Sequence, residues 1–92
     1  MSVVIVGGND CMVCQYKFLC RKYNCKAKVF TQMMGLKNKI GSPDLLVLFT
    51  KTVSHKMVKT ALAKTKGQNI RITRCHSSSM TALKEILEEY TV

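Results

Sequence analysis

Five successive apolar residues, Leu45 to Phe49, follow the chain break Gly41-Ser42-Pro43-Asp44. Side chains alternate between the two faces of a strand, so a run that is apolar at every position has no face to give to water. The run therefore predicts a central strand of a parallel sheet, with helices covering both sides. Val3 to Val6 repeats the pattern and ends at Gly7 and Gly8, which predicts a second buried strand closed by a tight turn.

The remaining segments supply the cover. Asp10 is a candidate cap for a helix in which Met12, Tyr16, Leu19, Cys20 and Tyr23 share one face, and Asn24 can close it. Cys14 falls nearly opposite that face. Lys26 to Phe30 alternates as a half-buried strand, with Ala27 and Val29 on one side. Between Thr31 and Pro43, Met33, Met34, Leu36 and Ile40 fit either a short helix or an ordered loop. Thr52 or Ser54 can cap a helix with Val53, Met57, Val58, Ala61 and Leu62 as its core stripe, and Gly67 ends it. Ile70 and Ile72 alternate with Arg71 and Thr73 as an edge strand. Ser77 to Ser79 precede a last helix whose buried face is Ala82, Leu83, Ile86, Leu87 and Tyr90.

Connections of this length between strands imply right-handed crossovers and a parallel sheet. The fold predicted is a single small α/β domain over residues 1–92, a doubly wound parallel sheet of four strands in the order 2-1-3-4 with helices on both faces. In such a sheet ligands bind at the C-terminal edge of the strands, where the chain order reverses. That edge should gather Gly7, Gly8, Asn9 and Asp10 after the first strand, Thr50 to His55 after the third, and Cys75 to Ser79 after the fourth.

Helix N-termini carry amide N–H groups without partners and the positive end of a dipole, so they attract anions. Three of them should face this edge, near Asp10, Val53 and Ser78, with hydroxyls from Thr52, Ser54, Ser77, Ser78 and Ser79 and the imidazole of His55 beside them. A small anion or phosphorylated ligand is the simplest occupant. The alternative use of the same residues is structural: Ser77 to Ser79 as a helix cap with spare serines, and His55 bonded to a neighbouring carbonyl or hydroxyl.

Fifteen Lys and Arg against five Asp and Glu give a net charge of +10 on 92 residues. Such a field draws in phosphates and nucleic acid, although a solvated basic surface also fits, because the cations are spread along the chain. Five cysteines without a secretory signal argue for reduced thiols and a cytoplasmic location rather than a disulfide framework. Cys11 and Cys14 form a C-x-x-C at a helix start, and together with Cys75, His55 and His76 they offer ligands for a transition metal or haem. Only one close cysteine pair exists, where a structural zinc site usually has two.

Several function classes lack their residues. The Gly-Gly-Asn-Asp turn has no third glycine of the dinucleotide fingerprint, no acidic residue follows the second strand to hold a ribose, and there is no Gly-Lys-Ser phosphate loop. No Ser-His-Asp order, paired carboxylates or G-x-S-x-G elbow stands out, which favours a binding module over an enzyme. Aromatic RNA-binding signatures and zinc-finger spacings are also missing. No window is long and apolar enough to span a bilayer, and a homodimer is compatible with the size.

At "VVIVGGND", "DLLVLFTKTVSHKMV" and "RCHSSSMTAL" the chain resembles the bacterial domain-of-unknown-function family DUF2325, with the motifs in the same order over nearly the whole length. The resemblance implies a cytoplasmic bacterial protein with a Rossmann-like or flavodoxin-like domain and no settled activity. The positions it matches are Gly7, Gly8, Ser54, His55 and Ser77 to Ser79. Haem binding among relatives, which the resemblance suggests, would make His55 a ligand.

Overall fold

The computed structural model describes residues 1–32 and 39–91. Strands β1 (Ser2–Val6), β2 (Lys26–Phe30), β3 (Leu45–Phe49) and β4 (Arg71–Cys75) alternate with helices α1 (Val13–Lys22), α2 (His55–Thr65) and α3 (Met80–Thr91). A short 3-10 turn, Asp10–Met12, leads into α1. The sheet has the order β2-β1-β3-β4, and every pair is parallel. This is the predicted doubly wound sheet.

Both central strands lose water from both faces. Leu45 to Phe49 are all buried, as are Val3 to Val6. Alternation divides them between two cores. Val3, Ile5, Leu45, Val47 and Phe49 pack with Tyr16 and Cys20 of α1 and Leu83, Ile86 and Leu87 of α3. Val4, Val6, Leu46 and Leu48 pack with Met57 and Ala61 of α2 and with Phe30 and Ile40. Two helices thus cover one face, and they meet where the Tyr23 hydroxyl donates to the Glu88 carboxylate at 3.0 Å. On the other face α2 does not reach the outer strand. Ile72, expected in the core pattern of an edge strand, is 42% exposed there, while Ile70 lies just before β4 and packs against the second core.

The helix stripes match their predicted positions, with Met57 and Ala61 buried and Val53, Val58 and Leu62 packed beside them. Asn24 ends α1 in the left-handed region at φ 59. The start of α1 differs from expectation. Asn9, not Asp10, is the cap: its side-chain oxygen accepts from the Cys11 N–H at 2.9 Å, while the Asp10 carboxylate accepts the Thr31 hydroxyl. Met33, Met34 and Leu36, read as helix or loop, lie outside the described residues; Ile40 is buried. Among the described residues no helix is long and apolar enough to cross a membrane.

Gly7 sets how closely the strand ends approach each other. It adopts φ 101, and a methyl group there would lie 2.9 Å from the Phe49 carbonyl oxygen and 3.2 Å from the Val53 side chain. Gly67 is also left-handed, at φ 83, but has open space around it. Gly67→Ala should therefore cost only the conformational term, about 1 kcal/mol, whereas Gly7→Ala adds displacement of the β3 carbonyl and should cost more, about 1–3 kcal/mol or above. Urea denaturation of the two variants measures the difference, and equal losses would show that the close approach at Gly7 contributes nothing.

Candidate functional site

All four strands point their C-termini the same way, so the turns after β1, β3 and β4 share one rim. The first links in this rim are backbone groups. The Gly7 N–H donates to the Phe30 carbonyl at 2.8 Å, and the Gly8 N–H donates to the Thr52 hydroxyl oxygen at 2.7 Å. The Thr52 hydroxyl in turn donates to the Phe49 carbonyl at 3.3 Å. Gly7 and Gly8 thus join the β1 turn to the β2 end and to the β3 turn, and their N–H groups are engaged within the protein.

Tyr16 joins the third turn. Its ring is buried against Phe49, with centroids 5.6 Å apart and planes tilted by 42°, while its hydroxyl emerges at the rim. There it donates to the Ser78 carbonyl at 2.7 Å and accepts a long bond from the Asn9 N–H at 3.4 Å. One side chain of α1 therefore spans the β1 and β4 turns. Sequence periodicity placed Tyr16 in the core stripe and missed this role. The available signal was chemical: a buried tyrosine, unlike phenylalanine, needs a polar partner for its hydroxyl.

Between these turns lies an open cleft of about 380 Å³, lined by Asn9, Met12, Lys51, Thr52, His76 and the three serines Ser77 to Ser79. Ser79 caps α3, its hydroxyl oxygen accepting from the Ala82 N–H at 3.2 Å, and the Ser77 hydroxyl oxygen accepts from the Ser79 N–H at 3.3 Å. As acceptors both keep their O–H donors. Among the described residues the Ser78 hydroxyl and the Met80 and Thr81 amides have no hydrogen-bond partner. The first turn of α3 thus presents N–H groups beside a lysine, an imidazole and several hydroxyls.

His55 is elsewhere. It is the first residue of α2 and lines a separate cleft of about 250 Å³ with Thr50, Val53, Val58 and Arg74. The two clefts have no lining residue in common. The bond expected between His55 and a neighbouring carbonyl or hydroxyl is not formed with any described residue, and the side chain is exposed. Ser54 lines neither cleft; its hydroxyl oxygen caps α2 by accepting from the Met57 N–H at 3.2 Å. The structure therefore brings together Asn9, Thr52, Ser77, Ser78, Ser79 and His76, adds Lys51 and Met12, and separates them from His55.

The thiols are dispersed. Cys11 and Cys14 are exposed, Cys20 and Cys25 are buried, and Cys75 packs against the first core. Among the described residues no three His, Cys, Asp or Glu side chains gather closely enough to hold a metal ion. His55, Cys11, Cys14, Cys75 and His76 are thus not assembled as a ligand set. Burial, reinforced by neighbouring Cys25, pushes the Cys20 thiol up to about 11. Burial likewise raises Cys25, with the N-terminal amine opposing and Asp44 adding to the rise.

The sheet order defines a doubly wound α/β fold, with the turns after β1, β3 and β4 along its C-terminal rim. The family model described as "uncharacterized protein conserved in bacteria", DUF2325, matches residues 2–90, and the chain belongs to that family. No curated protein and no solved structure is matched by the chain.

Two consequences can be measured. Tyr16→Phe would leave the Ser78 carbonyl and the Asn9 N–H without their partner, with an expected cost of about 1–2 kcal/mol in a thermal or urea melt. The Cys20 proton is retained by the folded state above the ordinary thiol value of 9.0, where the unfolded chain releases it. The folded state then binds more protons, so stability should fall as pH rises from 9.0 toward about 11. Iodoacetamide at about pH 8 should correspondingly modify Cys11 and Cys14 in the folded protein and spare Cys20 and Cys25 until denaturant is added.

Proposed function

We infer that the chain is a non-enzymatic binding module for a small anion or a phosphorylated ligand, held in the cleft between the β1, β3 and β4 turns. The observation that carries this is the first turn of α3, whose Met80 and Thr81 N–H groups have no partner among the described residues and adjoin a cleft lined by Lys51, His76 and Ser77 to Ser79. A helix N-terminus favours negative charge, and hydroxyl and ammonium donors around it give an anion several short contacts. The volume of about 380 Å³ falls within the range usual for small-ligand pockets, about 300–1,000 Å³. The net charge of +10 adds long-range attraction.

In this assignment Asn9, Thr52, Ser77, Ser78 and Ser79 line the ligand cleft, with Lys51 and His76 as its charged or chargeable members. Gly7 and Gly8 hold the turns in register. Ser54 and His55, which belong to the cap and cleft of α2, take no direct part.

Isothermal titration with inorganic phosphate, pyrophosphate and nucleoside monophosphates tests the assignment. Binding should weaken with added salt, and Lys51→Ala should reduce affinity about tenfold, the effect of removing one charge-assisted hydrogen bond. Ser78→Ala should weaken it less, and His55→Ala should leave it unchanged. Equal losses in the Lys51 and His55 variants would rule out the cleft assignment, and silence across the whole panel would remove the function.

A further inference from the structure

Away from the rim, five cations gather along the outer edge of β2: Lys17, Arg21, Lys26, Lys28 and Lys39. The Lys26 N–H donates to the Met1 carbonyl, and the Phe30 carbonyl accepts from Gly7, so the even-numbered residues of β2 turn their backbone groups toward β1. In a parallel pair the alternate residues turn theirs the other way. The N–H and C=O groups of Ala27 and Val29 therefore face outward, and no described strand pairs with them.

Cations stand on both sides of this edge. Two open clefts, of about 600 Å³ and 460 Å³, run along it and share Lys17 and Ala27. Lys17 and Arg21 of α1 form one wall; Lys26, Lys28 and Lys39 contribute the other cations. Lys28 is steadied by donating to the Lys39 carbonyl at 3.1 Å. Among the described residues neither cleft has a carboxylate in its lining. Three of the five acids, Glu85, Glu88 and Glu89, sit on α3; Asp44, which accepts from the Ser2 N–H, is near enough to Cys25 to raise its thiol but lines neither cleft.

One further feature narrows the partner. Phe18 is 62% exposed on the solvent side of α1, where Cys14, Lys17, Phe18 and Arg21 follow at i, i+3, i+4 and i+7 and so share a stripe. The Lys22 ammonium lies 5.5 Å from its ring centroid. An aromatic ring standing in water among cations, beside a positively lined groove, is the arrangement by which single strands are held: phosphates follow the charge and a base stacks on the ring. A second copy of this chain would bring lysines against lysines, and a duplex keeps its bases stacked inside, out of reach of the ring.

We propose that the groove along the outer edge of β2, with Phe18 beside it, is a binding surface for single-stranded nucleic acid. Lys17, Arg21, Lys22, Lys26, Lys28 and Lys39 contact phosphates, and Phe18 takes a base. The surface is separate from the rim cleft and does not depend on the function inferred there.

Fluorescence anisotropy with a labelled oligothymidylate of about 12 nucleotides tests this. If each of the six cations neutralises a phosphate, the logarithm of affinity should fall against the logarithm of salt with a slope of about −4, and Lys17→Ala with Arg21→Ala should flatten it by about 1.4. Phe18→Leu should weaken binding about tenfold and Phe18→Tyr should preserve it, since only the latter keeps a stacking ring. Lys59→Ala with Lys64→Ala, exposed on α2, should leave affinity within about twofold. All the substituted side chains are exposed, and urea midpoints equal to the parent's should show that the variants fold. The proposal is overturned if the α2 pair costs as much as the α1 pair, if Phe18→Leu binds like the parent, or if polyglutamate displaces the oligonucleotide as well as unlabelled oligothymidylate does at equal charge.

Discussion

Burial of β1 and β3 on both faces is the constraint from which the other features follow. A strand with no wet face must have neighbours on both edges and cover above and below, and a short chain meets those demands by crossing over with a helix each time it returns to the sheet. Successive right-handed crossovers then bring the strand ends, and the turns that follow them, to one rim. Gly7 and Tyr16 refine this general geometry. The glycine lets the β1 turn lie against the Phe49 carbonyl, and the tyrosine hydroxyl bridges from α1 to the Ser78 carbonyl. Both are structural contacts that hold the turns at the rim together.

Hydroxyl groups at this rim serve two purposes with different parts of the same atom. Ser77 and Ser79 accept backbone N–H groups through oxygen, which orders the start of α3, and each keeps a proton to donate outward. Thr52 differs, because its oxygen accepts from Gly8 and its proton goes to Phe49. The cap expected at Ser77 to Ser79 and the anion cradle we propose are therefore compatible uses of one turn, whereas Thr52 holds two turns together.

The fold was legible because each element carried its own period. Leu45 to Phe49 specified a strand buried on both faces, and the stripes of α1, α2 and α3 specified which side of each helix faced inward. Rim membership was legible for Asn9, Thr52 and Ser77 to Ser79, since topology alone fixes which turns share an edge. The finer division was not. His55 and Ser78 follow neighbouring strands at the same edge, but α2 and α3 pack on opposite faces of the sheet, so the side chains at their starts lean into different clefts. Asn9 replaced Asp10 as the cap because the Thr31 side chain, distant in sequence, engages the aspartate. Lys17, Arg21 and the lysines of β2 looked scattered along the chain and converge only when α1 folds back beside its strand.

The placement of those cations also bears on how copies of the molecule behave toward one another. An outermost strand is a template on which a second sheet can extend itself, and natural domains discourage this with charge. Here both outermost strands are defended: Lys26 and Lys28 on β2, Arg71 and Arg74 on β4, with the bare Ile72 between the two arginines. Ribbons approaching side by side would bring like charges together before any backbone bond could form, so the cations of the two outer strands oppose edge-to-edge growth of the sheet.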